Sequence, residues 1–203
     1  MMIGICMRLL VFPIILLFTF TTYAQHFSAG FVGGLAATQV DGDGYGGYDK
    51  AGPIGGVWVG TRINTTLYWR FELKYIQKGS FAKTSEDGDW FRMRLHYFEL
   101  PILIGYRFGN SFNAIGGISG GYLAKATEKN RYSEIPEELT KLFHSIEVAG
   151  KAGIEYNQSE HWAFSVIFSY SIFPIRTFDV TIPASWKKGQ YNQVLELVVR
   201  YKL

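Results

Sequence analysis

His144 and Ser145 are the one adjacent histidine–serine pair in the chain, and Glu147 stands two residues on. A hydroxyl, an imidazole and a carboxylate are the parts of a nucleophilic triad, the machinery of a lipid esterase or acyltransferase. In an extended chain, however, neighbours point to opposite faces, so Ser145 and Glu147 share a face and His144 opposes them. That is a poor triad. The remaining histidines, His26, His96 and His161, have no adjacent serine. Asp41-Gly42-Asp43-Gly44 has the opening of a calcium loop, but Tyr45 and Gly52 occupy the fifth and twelfth positions, where oxygen ligands are required. It reads as a solvated turn. No Gly-Lys-Ser/Thr follows any glycine cluster, so no Walker-type phosphate cradle is present. Asn64-Thr65-Thr66 fits a glycosylation sequon and, more simply, a tight turn. The only cysteine, Cys6, excludes a disulfide framework and a thiolate zinc site. No catalytic, metal-binding or cofactor-binding residue is expected, and no enzyme activity.

Composition points to a particular kind of element. Of 203 residues, 48% are hydrophobic, 17% aromatic and 18% charged, with 23 glycines. The charged fraction is below the ~25% of a soluble domain and glycine is above the usual ~7%. The glycines have no three-residue period, which excludes collagen, and so aromatic a chain can bury enough surface to exclude disorder. A net charge of +3 is too small to imply a nucleic-acid partner. Residues 1–24 predict a secretory signal peptide: Arg8, the apolar run Leu9 to Phe20, then Thr22-Tyr23-Ala24 before cleavage at Gln25. Spanning a bilayer as a helix takes ~20 apolar residues, and this run is shorter and contains Pro13. Residues 25–203 form one domain.

Within that domain the dominant period is two. Trp162, Phe164, Val166, Phe168, Tyr170 and Ile172 alternate with mostly small or polar residues. Leu195 to Leu203, Leu67 to Tyr75 and Ile146 to Tyr156 alternate similarly, and 27–39, 54–63, 93–108 and 112–125 are glycine-blurred versions. These predict eight strands, with one short loop helix over 136–142. Connections are short at 64–66, 109–111 and 157–160, and long at 40–53, 79–92, 126–144 and 175–190. Alternating short and long connections are the wiring of an all-β, eight-stranded antiparallel up-and-down transmembrane β-barrel, with short turns in the periplasm and long loops outside. Projected onto this topology, Phe27, Trp69, Tyr106, Phe108, Phe112, Tyr156, Trp162 and Tyr201 collect at the short-turn end, as an interfacial girdle requires. The predicted location is the outer membrane, in contact with its lipid.

The polar face then points inward. It carries Arg70, Glu72, Lys74, Glu99, Arg107, Glu147, Lys151, Glu155, Glu196 and Arg200, with Arg62 and Lys202 near the periplasmic rim. Buried charges must be paired, and five positive against five negative permits it. Glu99 is expected to pair with Arg70 or Lys74. Eight strands leave room only for side chains, so the lumen is expected to be a plug of ion pairs without a pore.

Tyr97-Phe98-Glu99-Leu100-Pro101, followed by Ile102 to Phe108, resembles a strand motif of the PorT-like outer-membrane β-barrel family of Bacteroidetes. Glu72-Leu73-Lys74-Tyr75-Ile76-Gln77-Lys78-Gly79 is similar to another of its strands, and Gly120 to Leu123, Ala152 to Tyr156 and Asn192 to Leu203 fit later ones. The chain departs from that pattern with Glu147 near a usual Asp and with a terminal Leu203 in place of Phe. The resemblance implies an eight-stranded outer-membrane barrel; the founding member takes part in protein secretion, and most members have no known activity. Pro101 cannot donate a ladder bond, so a bulge is expected there. The function expected is a non-enzymatic envelope barrel, structural or binding a protein through its long loops. The alternatives are an outer-membrane lipid-modifying enzyme and an accessory component of a secretion system.

Overall fold

The computed structural model describes residues 27–44, 46–83, 89–132, 142–177 and 189–203. The predicted signal peptide lies outside these residues, as does all but Leu142 of the predicted loop helix. Nine strands follow in order: β1 Ser28–Asp41, β2 Lys50–Arg62, β3 Leu67–Lys78, β4 Phe81–Lys83, β5 Trp90–Phe108, β6 Phe112–Asn130, β7 Ile146–Asn157, β8 Trp162–Ser171 and β9 Tyr191–Lys202. All neighbouring pairs are antiparallel, and two further pairings, β1 with β9 and β3 with β5, close the sheet into a ring of eight. Closure leaves no unpaired edge, which the hydrocarbon of a bilayer demands.

The ninth strand is not a ninth crossing. β3 pairs β5 through Lys78↔Leu95, and β4 resumes in the same register with Phe81↔Arg92. Gly79 interrupts the column at φ +130°, a conformation that excludes most side chains, and Ser80 still accepts a backbone bond from Met93. β4 is therefore the outer extension of β3. The other strands also run further outward than the alternation predicts: β1 reaches Asp41, β2 begins at Lys50, β5 at Trp90, and β6 continues to Asn130. The first three predicted long connections are shortened accordingly; the fourth is not, because β8 ends at Ser171 and β9 begins at Tyr191.

Strand polarity is inverted relative to a water-soluble barrel. In β8, Trp162, Phe164, Val166 and Phe168 are exposed, while Ser165, Ile167, Ser169 and Ser171 are buried. In β5, Phe98, Leu100, Ile102, Ile104, Tyr106 and Phe108 face outward. A closed belt of exposed large apolar side chains has no rationale in water and the expected one in lipid. At the short-turn end the aromatic rings meet: Phe27 with Trp69 at 6.2 Å, Phe112 with Tyr156 at 5.2 Å and Trp162 with Tyr201 at 4.9 Å. The turn at Asn64 forms as its sequence suggests, its side-chain oxygen accepting from the Thr66 and Leu67 amides at 2.8 and 2.7 Å.

Pro101 is handled differently from expectation. The β3–β5 register is the same on either side of it (Phe71↔Ile102, Lys74↔Glu99), so no bulge is inserted there. The bulge of β5–β6 lies instead between His96 and Tyr97. The lumen also differs from a plug made wholly of ion pairs. Toward the loops it is apolar, with Val40, Ile76, Met93, Leu95, Tyr97 and Val194 packed beneath Phe143 and Ile175 from the long connections.

Candidate functional site

The charged band in the middle of the lumen is assembled by strand parity. Even positions of β3 point inward and deliver Arg70, Glu72, Lys74 and Lys78; β5 supplies Glu99, β7 Glu147, Lys151 and Glu155, and β9 Glu196 and Arg200. All ten are buried. On the periplasmic side Arg70 reaches Glu155 at 2.9 Å and Glu72 at 3.0 Å, while Arg200 reaches the same two at 2.8 and 3.0 Å. Glu155 also accepts from Tyr68, Asn113 and Ser165. Tyr68 gains that reach because its ring lies across Gly105, where a Cβ would sit 2.0 Å from the ring. On the loop side Lys78 bridges Glu99 and Glu147, Lys151 bridges Glu99 and Glu196, and Lys74 bonds Glu196 with Glu99 at 3.8 Å.

The band corrects two expectations. Arg107 has the inward parity but occupies the penultimate position of β5, where it is exposed at the periplasmic mouth. Its place in the balance of five and five belongs to Lys78, which the sequence reading placed beyond the end of its strand. Glu99 has Lys74 within reach, but its shorter contacts are with Lys78 and Lys151, and Arg70 serves Glu72 and Glu155 instead. A further pair, buried Glu128 with part-buried Arg176 at 3.1 Å, lies above the band.

Chemically the band is balanced in charge. Each carboxylate faces at least one cation, and a base committed to an ion pair is not poised to take a proton. The suggested triad is not assembled: Glu147 faces inward to Lys78, Ser171 and Asn192, whereas His144 is exposed with Nδ1 3.0 Å from the Pro174 carbonyl. Asp41 accepts from Tyr170 at 2.9 Å, and Gly42 and Gly44 take positive φ, so this segment is a turn. Among the described residues no three metal-ligating side chains converge. Below the band the lumen opens into a vestibule of about 610 Å³ at the short-turn end, whose rim carries Arg62, Arg107 and Lys202 beside Trp58, Tyr68 and His161.

A family model described as outer membrane protein beta-barrel domain matches residues 23–176. The chain belongs to that family. The barrel accordingly sits in the outer membrane, its apolar belt in lipid and its short turns in the periplasm. Among solved structures it is similar to Ail, the attachment invasion locus protein of Yersinia pestis, in complex with the heparin analogue sucrose octasulfate. The TM-score is 0.50 at 14% identity, covering 87% of this chain and 99% of that one. Neisserial surface protein A (NspA) gives a TM-score of 0.53 at 14% identity, with 87% and 97% covered. At such identity the likeness carries the fold alone. No curated protein matches the chain.

Two groups escaped the sequence reading. Lys78 follows the even parity of β3 and was legible had the strand been carried past Tyr75. Of the outward cations, Arg92 lies on the outer extension of β5, while Arg94 and Lys125 stand at the outer ends of the predicted strands, where residue types alone give no sign of facing.

Proposed function

We propose that the protein is a non-enzymatic outer-membrane barrel of the PorT-like type, as in Bacteroidetes, serving the cell envelope as a structural or protein-interaction module. Its lumen is filled and it has no pore. The observation that carries this reading is the lumen itself: ten mutually paired charges cross it, and an apolar cluster under Phe143 and Ile175 closes its loop end. A conducting path would have to separate buried ion pairs, each costing several kcal/mol (~3–5) to break from one side. Contact with an envelope partner falls to the segments between the long outer strands, within 40–53, 79–92, 126–144 and 175–190.

Purified barrel in planar bilayers should give no current steps above leak. Overexpression should leave the mass distribution of lipid A unchanged, and crosslinking in whole cells should capture a defined envelope protein. Reproducible single-channel steps would refute the filled lumen. A lipid A species gained or lost on overexpression would establish the enzymatic reading instead.

A further inference from the structure

The outward columns of β5 and β6 change character at one cross-strand pair. Phe98 and Tyr122 face each other at the outer edge of the apolar belt, both more than half exposed. The next outward pairs toward the loops are His96 with Lys125, Arg94 with Thr127 and Arg92 with Lys129. The bulge between His96 and Tyr97 makes this possible. It shifts β6 by one residue, which reverses facing beyond it: Lys125 and Lys129 turn outward, and Glu128 turns into the lumen. Without the bulge the lysines would point inward and Glu128 would stand among the arginines.

The result is a one-sided cationic wall. Arg92, Arg94, Thr127 and Lys129 line a depression of about 200 Å³, and Lys50, Gln77, Phe81 and the same two arginines line an adjoining one of about 300 Å³. Asp49 is the one carboxylate among the described residues lining either. Arg92 is held over the rings of Phe81 and Trp90 at 5.0 and 5.3 Å, which fixes its guanidinium outside the barrel. Lys50 lies beyond the lipid-facing part of β2; burial, and then the fields of Arg94 and Arg92, bring its ammonium down to about 8. The opposite wall has no such character. At the loop ends of β1, β8 and β9, Gln39 bonds Gln193, Tyr170 donates to Asp41, and Tyr170 stacks on Tyr191.

Like charges on adjacent strands repel, so a bulge that gathers them favours an anionic occupant. Depth selects which one. At ~3.3 Å per residue along a tilted strand, His96 to Arg92 stand roughly 5 to 15 Å above the hydrocarbon edge, at the headgroups of the outer leaflet. We propose that this wall binds the phosphate groups of a phosphorylated glycolipid of the outer leaflet, with Arg92, Arg94 and Lys125 as the phosphate-contacting residues. The acyl chains of that lipid lie along Phe98, Leu100 and Tyr122. A guanidinium fork matches phosphate oxygens two at a time, and each basic residue near an anionic headgroup contributes roughly fivefold in affinity.

The test uses the mature barrel folded in phosphatidylcholine nanodiscs, with retained lipid counted by native mass spectrometry. The probes are diphosphoryl lipid A, the same lipid with both phosphates removed, and free pyrophosphate. The wild type should retain the phosphorylated lipid at least tenfold better than the dephosphorylated one. A triple variant, Arg92→Gln with Arg94→Gln and Lys125→Gln, should lose that preference. A triple at the periplasmic mouth, Arg62→Gln with Arg107→Gln and Lys202→Gln, removes the same charge and should keep it. Equal retention of the two lipids by wild type, or a preference surviving in the first triple, overturns the proposal. So does an equal loss in both triples, or displacement of the lipid by micromolar pyrophosphate, which would assign the wall to soluble phosphate. Should the first triple fail to fold, Arg94→Lys should retain the preference and Arg94→Glu lose it; identical behaviour of these two overturns the proposal as well.

Discussion

Glu99 shows what a single residue is asked to do inside this barrel. It is 1% exposed and faces Lys78, Lys151 and Lys74, so its loss would leave five buried cations against four carboxylates in the band. Removing one member of a buried ion pair leaves an uncompensated charge and costs about 3–5 kcal/mol, whereas replacing both with apolar groups is often close to neutral. Glu99→Leu should therefore lower the urea midpoint of the folded barrel in lipid vesicles by an amount of that order. Adding Lys78→Met should recover a large part of it, because Glu147 retains Ser171 and Asn192 as donors. Strictly additive losses in the double variant would place the coupling elsewhere. Glu160→Gln, in an exposed periplasmic turn, should stay within about 0.5 kcal/mol of wild type.

At the scale of the strand, parity sets facing, and the two devices that interrupt the ladder are local. One is Gly79 between β3 and β4. A Cβ there would lie 2.2 Å from the Met93 carbonyl oxygen and would have to be carried at φ +130°, so Gly79→Ala should destabilise by about 1–3 kcal/mol in the same unfolding experiment. An unchanged midpoint would mean that β4 does not depend on the break. The other is the bulge beside Tyr97, which turns the lysines of β6 outward. Between these devices and the periplasmic turns, the outward column must match lipid. Ile102 is half exposed midway along the apolar run of β5, and Ile102→Arg should cost about 2–4 kcal/mol. Arg62→Leu, at the rim, should change stability far less; equal effects at the two positions would contradict the depth assigned to the belt.

The whole molecule stands or falls on closure, because β1 and β9 lie at opposite ends of the described chain. Their twelve-residue register runs from Gly30↔Lys202 to Asp41↔Tyr191, and the Leu203 amide adds a last bond to Ala29. Tyr201 is locked beside Trp162 and His161 at the same end. Replacing Tyr201 and Leu203 with Asp puts charge at the lipid interface on the closing strand, so that variant should fail to insert. Intact closed barrel should migrate anomalously on a gel until boiled, and the variant should not. Normal surface levels of a heat-modifiable variant would show that closure does not require these side chains.

Eight crossings, their antiparallel order, the apolar-out polarity and the aromatic ring were legible in the residues. Each depends on period-two facing and on the lengths of connections, both of which are local. Nine of the ten charges of the lumen were legible for the same reason, since parity assigns a face. Parity does not assign depth. Arg107 and Lys78 both carry inward parity, but one sits at the open mouth and the other beneath a glycine break that keeps the column in register. Which cation meets which carboxylate was equally out of reach. Glu72 meets Arg200 and Glu147 meets Lys78 across the bore, between strands that are not neighbours in the chain. Such contacts are set by the stagger with which the ring closes, a property of all eight strands together. The outward turn of Lys125 was decided likewise, by one extra residue opposite β5 that only the paired strands reveal.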